Sequence, residues 1–341
     1  MKALQLVAYG KPEKAFQLAD LPNPEPAAGE VRINVECFGL NYADVMARNG
    51  LYNDAPPLPC VLGYEVVGTV EETGKDVSKF AVGDRVLAFT HFGGYTKKAV
   101  ADERTLAKLP TEIPPAEALA LATQYCTAYY AALTMANIQK NEHVLIHACA
   151  GGVGLALLDL AKFKGCEIIG TAGSDEKIDF IKNRGVNFAC NYRRYDFPTQ
   201  IRQHYGTQKP IDVAFDAIGG KTYNDTKKLL NFGGRHVIFG VASRKNRGFK
   251  LLNTLKLAWD FGLTHPLEFL INSRAVMGLN MLRIAEEKPE ALGKMMEDLI
   301  QMYKDGNVKP HVFKSFSVTE INEAHSALEN RQTLGKVAVF W

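Results

Sequence analysis

Cysteine is scarce and unpatterned in this chain: six residues (Cys37, Cys60, Cys126, Cys149, Cys166 and Cys190) and no C-x-x-C pair. A disulfide scaffold is therefore not expected. No apolar run reaches the roughly 18 residues of a membrane-spanning helix. The start, MKALQLVAYG, lacks the basic and apolar regions of a signal peptide. A cytoplasmic protein without a membrane span is the expectation. Charge of one sign is missing too: 40 Lys and Arg against 37 Asp and Glu leave +3, too little to argue for nucleic acid or an anionic membrane. Internal repeats and low-complexity tracts are absent.

What is present divides in two. At 341 residues the chain exceeds one comfortable core, so two domains with a cleft between them are expected. From Val31 to about Val86, runs such as VRINVEC and GYEVVGTVEE have the alternating, β-branched look of a β-rich lobe. At Pro115 the texture becomes helical, PAEALALATQYCTAYYAALTMA, with proline at its start. Short apolar runs then alternate with amphipathic stretches from HVLIHA to RHVIFG. That pattern predicts an α/β, doubly wound domain with a parallel sheet. Strand-like texture returns from about Arg274 to the final GKVAVFW. The expected division is residues 1–123 and 270–341 for the β-rich domain and 124–269 for the doubly wound one. Residues 247–273 are rich in Leu, Phe and Trp; they read as helices covering an apolar surface, or as a dimer or membrane-surface contact.

The strand HVLIHA leads into Cys149-Ala150-Gly151-Gly152-Val153-Gly154 and a helix. Glycines there permit a tight turn and close approach to a pyrophosphate, while the helix N-terminus supplies free N–H donors. An NAD site would place an acid at the end of the next strand; this chain has Gly170-Thr171-Ala172-Gly173-Ser174. Ser174 and Lys177 suit a 2′-phosphate, so NADPH is preferred over NADH. The alternative is that Ser174 is an N-cap and Lys177 a solvated lysine. Asp175 and Glu176 belong more naturally to the first helical turn.

HACAGGVG, GTAGSDEK and Asn191-Tyr192-Arg193, with GLNYADVMARNGLY, LGYEVVGTV, VGDRV and the terminal GKVAVF, resemble the zinc-independent quinone oxidoreductases (ζ-crystallin-like) of the medium-chain dehydrogenase/reductase superfamily. The resemblance covers nearly the whole chain, and the segment around NTLKLAWDFGLTHPLEFLINS is most similar to the vesicle amine transport protein homologues. Cys149 and Asp159 depart from the family pattern, which prefers Ser, Ala or Gly and Gln there; neither removes a glycine. The resemblance implies a GroES-like catalytic domain beside a Rossmann-type cofactor domain, and a homodimer. It implies that Ala150, Gly151, Gly152 and Val153 line the pyrophosphate, and that Gly173, Ser174, Lys177 and Tyr192 hold the adenosine ribose and its phosphate. By the same resemblance Ile218 is expected to approach the adenosine or its ribose. The resemblance also implies that Phe239, Gly240, Val241, Asn41 and Thr127 lie along the nicotinamide half, and that Gly278, Leu279, Asn280 and Lys336 close the cofactor from the other lobe.

A catalytic zinc takes three protein ligands and leaves one position open. Where zinc members of the superfamily carry Cys and Gly-His-Glu, this chain has Asn41 and Gly63-Tyr64-Glu65, so no metal is expected. Cys37, Cys60, Cys126, His91 and His147 read as core residues rather than ligands. Without zinc, the protein must orient hydride transfer to an electron-poor acceptor and supply donors to the developing oxyanion. Asn41 and Tyr52 are the candidate catalytic residues; Tyr52 falls where related enoyl-thioester reductases place a tyrosine acid, or is a loop aromatic on the cleft rim. Asp44 and Arg48 read as a local i, i+4 ion pair. The resemblance leads to an NADPH-dependent quinone reductase. The alternatives are a reductase of alkenals, alkenones or enoyl thioesters, and an NADPH-binding regulatory or trafficking protein with little turnover.

Overall fold

The computed structural model describes residues 1–242, 259–262 and 265–341, and the chain forms two compact units. One comprises Met1–Cys126 and Met281–Trp341, the other Thr127–Asn280.

In the first unit, strand Glu30–Leu40 alternates buried Val31, Ile33 and Val35 with more accessible neighbours, the period of a sheet with one face on a core. It lies in a seven-stranded sheet ordered Val312–Ser317, Lys336–Phe340, Glu30–Leu40, Glu65–Thr73, Arg85–Phe89 and Leu106–Lys108, with Lys98–Asp102 also paired to Glu30–Leu40. The carboxy-terminal segment thus supplies two strands, one hydrogen-bonded directly to Glu30–Leu40. A second sheet holds Phe16–Asp20, Lys2–Leu6 and Cys60–Val61. Leu6, Ile33, Phe38, Leu62, Tyr95 and Val339 meet in the core of this unit. The helical stretch opens on Pro115 at its first turn, where proline's missing N–H leaves no bond unmade. It continues through π-helical turns at Leu121–Tyr125 and Tyr130–Met135, and the division between units falls inside it.

The second unit is a six-stranded, wholly parallel sheet in the order Phe188–Asn191, Glu167–Ala172, His143–Ile146, Ile211–Asp216, Leu230–Ile238 and Ala275–Gly278. Numbered along the chain this is 3-2-1-4-5-6, the doubly wound order that reverses direction beside the first strand. The middles of its two central strands are apolar, with Val144, Leu145, Ile146, Val213, Ala214 and Phe215 all fully buried, because a parallel sheet is covered on both faces.

One boundary needs correction. The strand-like texture after Arg274 is expected to rejoin the β-rich domain from residue 270, but Ala275–Gly278 pairs in parallel with Leu230–Ile238 as the sixth strand. The chain therefore returns to the first unit only at Met281. Strand composition alone does not say which sheet a strand joins. Much of the apolar stretch 247–273 lies outside the described residues; its end forms the helix Pro266–Asn272, with Leu270 and Ile271 exposed. No helix among the described residues is long and apolar enough to cross a membrane.

Candidate cofactor and active site

Every nucleotide-site candidate of the second unit except Thr127 sits at or just beyond the carboxyl end of a parallel strand, the edge where open α/β sheets bind ligands. After His143–Ile146 the chain turns through Ala150 and Gly151, and Gly151 is the N-cap of helix Gly152–Phe163. A methyl group on Gly154 would strike the Ala148 carbonyl oxygen and lie 2.7 Å from Cys149 Cα. Only glycine lets the helix start this close to the turn. The Gly151 amide closes the turn by donating to the Ala148 carbonyl at 2.8 Å, and the first-turn amides of Gly152 and Val153 with the helix dipole make the anion cradle. Asp159 on this helix pairs with Arg184 at 3.1 Å.

After Glu167–Ala172 comes Gly173, where a methyl would stand 2.7 Å from the Tyr192 hydroxyl and 3.3 Å from Arg193 Nε. Ser174 caps helix Asp175–Asn183: its Oγ accepts the Lys177 N–H at 3.3 Å, and its own O–H remains able to donate. The N-cap reading of Ser174 and a phosphate-binding role are thus compatible. Asp175 accepts from Asn191 Nδ2 at 2.7 Å and pairs with Arg194 at 2.6 Å, so its charge is already met. Sequence reading missed Arg193, although the signal stood in the Tyr-Arg-Arg run closing the third strand.

Asp216, fully buried at the end of the fourth strand, accepts at Oδ1 from the amides of Ile218 (2.7 Å) and Gly219 (3.0 Å), which fixes the loop carrying Ile218. The Phe239 amide donates to the Asp216 carbonyl at 3.0 Å. A methyl on Gly240 would come within 2.8 Å of the Ala217 carbonyl, so the segment Phe239–Val241 lies tightly against that loop. Gly278, Leu279 and Asn280 are expected to close the cofactor from the other lobe; instead they end the sixth strand of the cofactor sheet itself, and the Leu279 amide bonds to the Ile238 carbonyl at 2.9 Å. Thr127 opens this unit and is buried. His147 is buried, with Nδ1 3.0 Å from the Thr171 hydroxyl and Nε2 2.7 Å from that of Thr226; burial pushes its pKa down to about 4.

In the first unit, Asn41 follows Glu30–Leu40 and begins helix Tyr42–Arg48, its amide N–H donating to Asp44 at 2.8 Å. Antiparallel pairing sets Val337 opposite Leu40, and the same register brings Lys336 beside Asn41. Lys336 and Glu65 are fully buried and form an ion pair. Lys336 Nζ also donates to Asn41 Oδ1 at 3.2 Å, Asn41 Nδ2 donates to both Glu65 oxygens at 2.9 Å, and the Thr123 hydroxyl donates to Glu65. A side chain at Gly39 would collide with the Glu65 carboxylate and approach Lys336 Nζ within 2.6 Å. The Asn41 amide is thus held from both sides, and Lys336 is committed to Glu65 within the β-rich unit. Asp44 accepts from the Gly63 amide at 3.2 Å, and burial pushes its pKa up to about 8. At neutral pH Asp44 is then mostly protonated, beside the Lys336–Glu65 pair. Among the described residues no group of three or more His, Cys, Asp or Glu side chains is placed to hold a metal ion.

The i, i+4 ion pair between Asp44 and Arg48 is not formed. Asp44 turns to the amides of Asn41 and Gly63, and the fully buried Arg48 pairs with Glu329 at 2.7 Å. Helical spacing permits the local pair, but the Asn41 amide at the helix start, the Gly63 amide and a carboxylate from distant sequence win. His91 is exposed rather than a core residue and pairs with Glu286 at 2.6 Å, whereas Cys37, Cys60 and Cys126 are buried. Tyr52, half-buried after the helix, packs against the core; burial and the Asp54 carboxylate push its pKa up to about 12, so it stays a protonated donor at neutral pH.

A GroES-like β-rich unit joined to a doubly wound nucleotide fold defines the medium-chain dehydrogenase/reductase class. Residues 27–111 match the alcohol dehydrogenase GroES-like domain and residues 152–297 the zinc-binding dehydrogenase family model. The chain is 30% identical over 341 residues to the synaptic vesicle membrane protein VAT-1 homolog of Homo sapiens, covering 99% of this chain and 86% of that one. It is 32% identical over 310 residues to quinone oxidoreductase-like protein 2 of Mus musculus, covering 90% and 84%. The crystal structure of Escherichia coli quinone oxidoreductase complexed with NADPH superposes with a TM-score of 0.86 at 27% identity, over the full length of both chains. The chain belongs to the zinc-independent quinone oxidoreductase family of the medium-chain dehydrogenases/reductases. Zinc in the name of the second model describes that model; in this chain Lys336 already neutralises Glu65.

Proposed function

We propose that the chain is an NADPH-dependent quinone oxidoreductase that transfers hydride without zinc to a quinone or a similarly electron-poor acceptor. The observation that carries the cofactor choice is the corner at Gly173, where Ser174, Tyr192 and Arg193 replace the acid that an NAD site places against the ribose. Ala150, Gly151, Gly152 and Val153 fit the pyrophosphate, Gly173, Ser174, Lys177, Tyr192 and Arg193 the 2′-phosphate ribose, and Ile218 the adenosine side. Thr127, Phe239, Gly240, Val241, Gly278, Leu279 and Asn280 complete the cofactor's surroundings. NADPH supplies the hydride when bound. Tyr52, protonated at neutral pH, hands its proton to the acceptor oxygen, and Lys336 with Glu65 holds the amide of Asn41 in place.

The same reading makes the protein a cytoplasmic homodimer; a light-scattering mass equal to the 37.6 kDa monomer would contradict the dimer. The test of the acceptor is product analysis after NADPH oxidation with 1,2- and 1,4-quinones, alkenals and an enoyl thioester in separate reactions. Hydroquinone formation supports the proposal. A saturated aldehyde or thioester as the preferred product replaces it with double-bond reduction. Tight NADPH binding with every acceptor inert replaces it with a regulatory role.

A further inference from the structure

Tyr64 lies in the bend before strand Glu65–Thr73 and is 3% exposed. Its ring is packed on three sides by aromatics: Phe92 at 5.2 Å between centroids, Phe89 at 6.3 Å, and Tyr52 edge to face at 6.4 Å. Its hydroxyl is sealed from solvent and finds no hydrogen-bond partner among the described residues. A buried hydroxyl without a partner is costly, and phenylalanine would fill the same aromatic space without that cost. Packing therefore explains the ring and leaves the oxygen unexplained. Of the three rings around it only Tyr52 carries another hydroxyl, and it meets Tyr64 edge to face; burial and the Asp54 and Asp44 carboxylates raise the Tyr52 pKa, whereas a Tyr64 O–H directed at the Tyr52 oxygen, and Arg283, lower it. Burial holds Tyr64's own pKa far above the usual phenol range, so Tyr64 keeps its proton as a hydrogen-bond donor.

We propose that Tyr64 is a positioning residue for proton delivery, its hydroxyl donating to the Tyr52 oxygen as Tyr52 gives its proton to the reduced acceptor. In that step the O–H bond of Tyr52 breaks and an O–H bond forms on the acceptor oxygen. The electron pair for reduction arrives as hydride from NADPH. The Tyr64 O–H bond stays intact, and solvent returns a proton to Tyr52 after product leaves. The inference rests on the proposed role of Tyr52.

Two measurements test it. Protein labelled with 13C at tyrosine Cζ, with the Tyr52 resonance assigned by its loss in Tyr52→Phe, is titrated in alkali without any substrate. In Tyr64→Phe the Tyr52 signal should begin to move at least half a pH unit later than in the wild type; coincident titrations overturn the proposal. Steady-state rates with 1,4-benzoquinone and 2-hexenal, in Tyr52→Phe, Tyr64→Phe and the double variant, separate the two ideas. The expected pattern is a roughly tenfold lower kcat in Tyr64→Phe at unchanged KM and a melting temperature no lower than that of the wild type, and no further loss when the change is added to Tyr52→Phe. A slow Tyr52→Phe beside a fully active Tyr64→Phe overturns the role of Tyr64 alone. A fully active Tyr52→Phe overturns both roles, and independent, multiplying losses show that Tyr64 does not act through Tyr52.

Discussion

Lys336 is the residue with most at stake in the β-rich unit. An ammonium taken fully out of water is tolerable only with its charge matched, and Glu65 matches it while Asn41 accepts another of its hydrogens. Lys336→Met leaves Glu65 buried and uncompensated, so chemical denaturation should show a loss of about 3–5 kcal/mol. Adding Glu65→Gln should recover much of it, since the orphaned charge goes too; a double variant as unstable as the single one would contradict the pairing. Asp44 makes a separate prediction. Its pKa in the folded state is raised to about 8 by burial, above the roughly 3.9 of an unfolded aspartate. Between those values the native state holds the extra proton, so the Asp44 contribution to stability is fully present below about pH 4 and is lost as pH rises through 8. Urea unfolding of the wild type minus that of Asp44→Asn should fall across that window, by at most about 1.4 kcal/mol per pH unit. A difference that is flat or rises with pH contradicts a protonated Asp44.

At the scale of elements, the glycine turn was the most legible part of the site, because a strand, a glycine cluster and a helix in succession leave few other geometries. Gly154→Ala should abolish NADPH-induced thermal stabilisation, since the added methyl has only the backbone of Ala148 and Cys149 to displace. At the second strand, Arg193→Ala should weaken NADPH binding about tenfold in a calorimetric titration and leave NADH nearly unchanged; equal losses for both would remove Arg193 from the 2′-phosphate corner. Other parts were illegible for physical reasons. Arg48 and Glu329 lie 281 residues apart, and only the helix Ile321–Glu329 packing on Tyr42–Arg48 brings them together. The Glu65–Lys336 pair depends on strand register and on the missing side chain of Gly39, neither of which local sequence displays. The sixth parallel strand, four residues long, carries too little sequence to announce its sheet.

For the whole molecule, the alternation of strand and helix gave the doubly wound class, and its strand order follows from right-handed crossovers on either side of the first strand. The participation of the carboxy-terminal segment in the β-rich unit was also readable, from the strand texture of GKVAVFW. Which acceptor is reduced was not, because acceptor pockets in such folds are shaped by loops rather than by the scaffold. A metal-independent reductase with a 2′-phosphate-selective cofactor site is distinguished from a zinc enzyme or an NADH enzyme by absorbance at 340 nm with 1,4-benzoquinone as acceptor in excess chelator, comparing NADPH with NADH against enzyme-free controls. Enzyme-dependent NADPH consumption that the chelator does not slow and that exceeds the NADH rate at least tenfold is expected. A rate abolished by chelator and restored by zinc, or a preference for NADH, would contradict it.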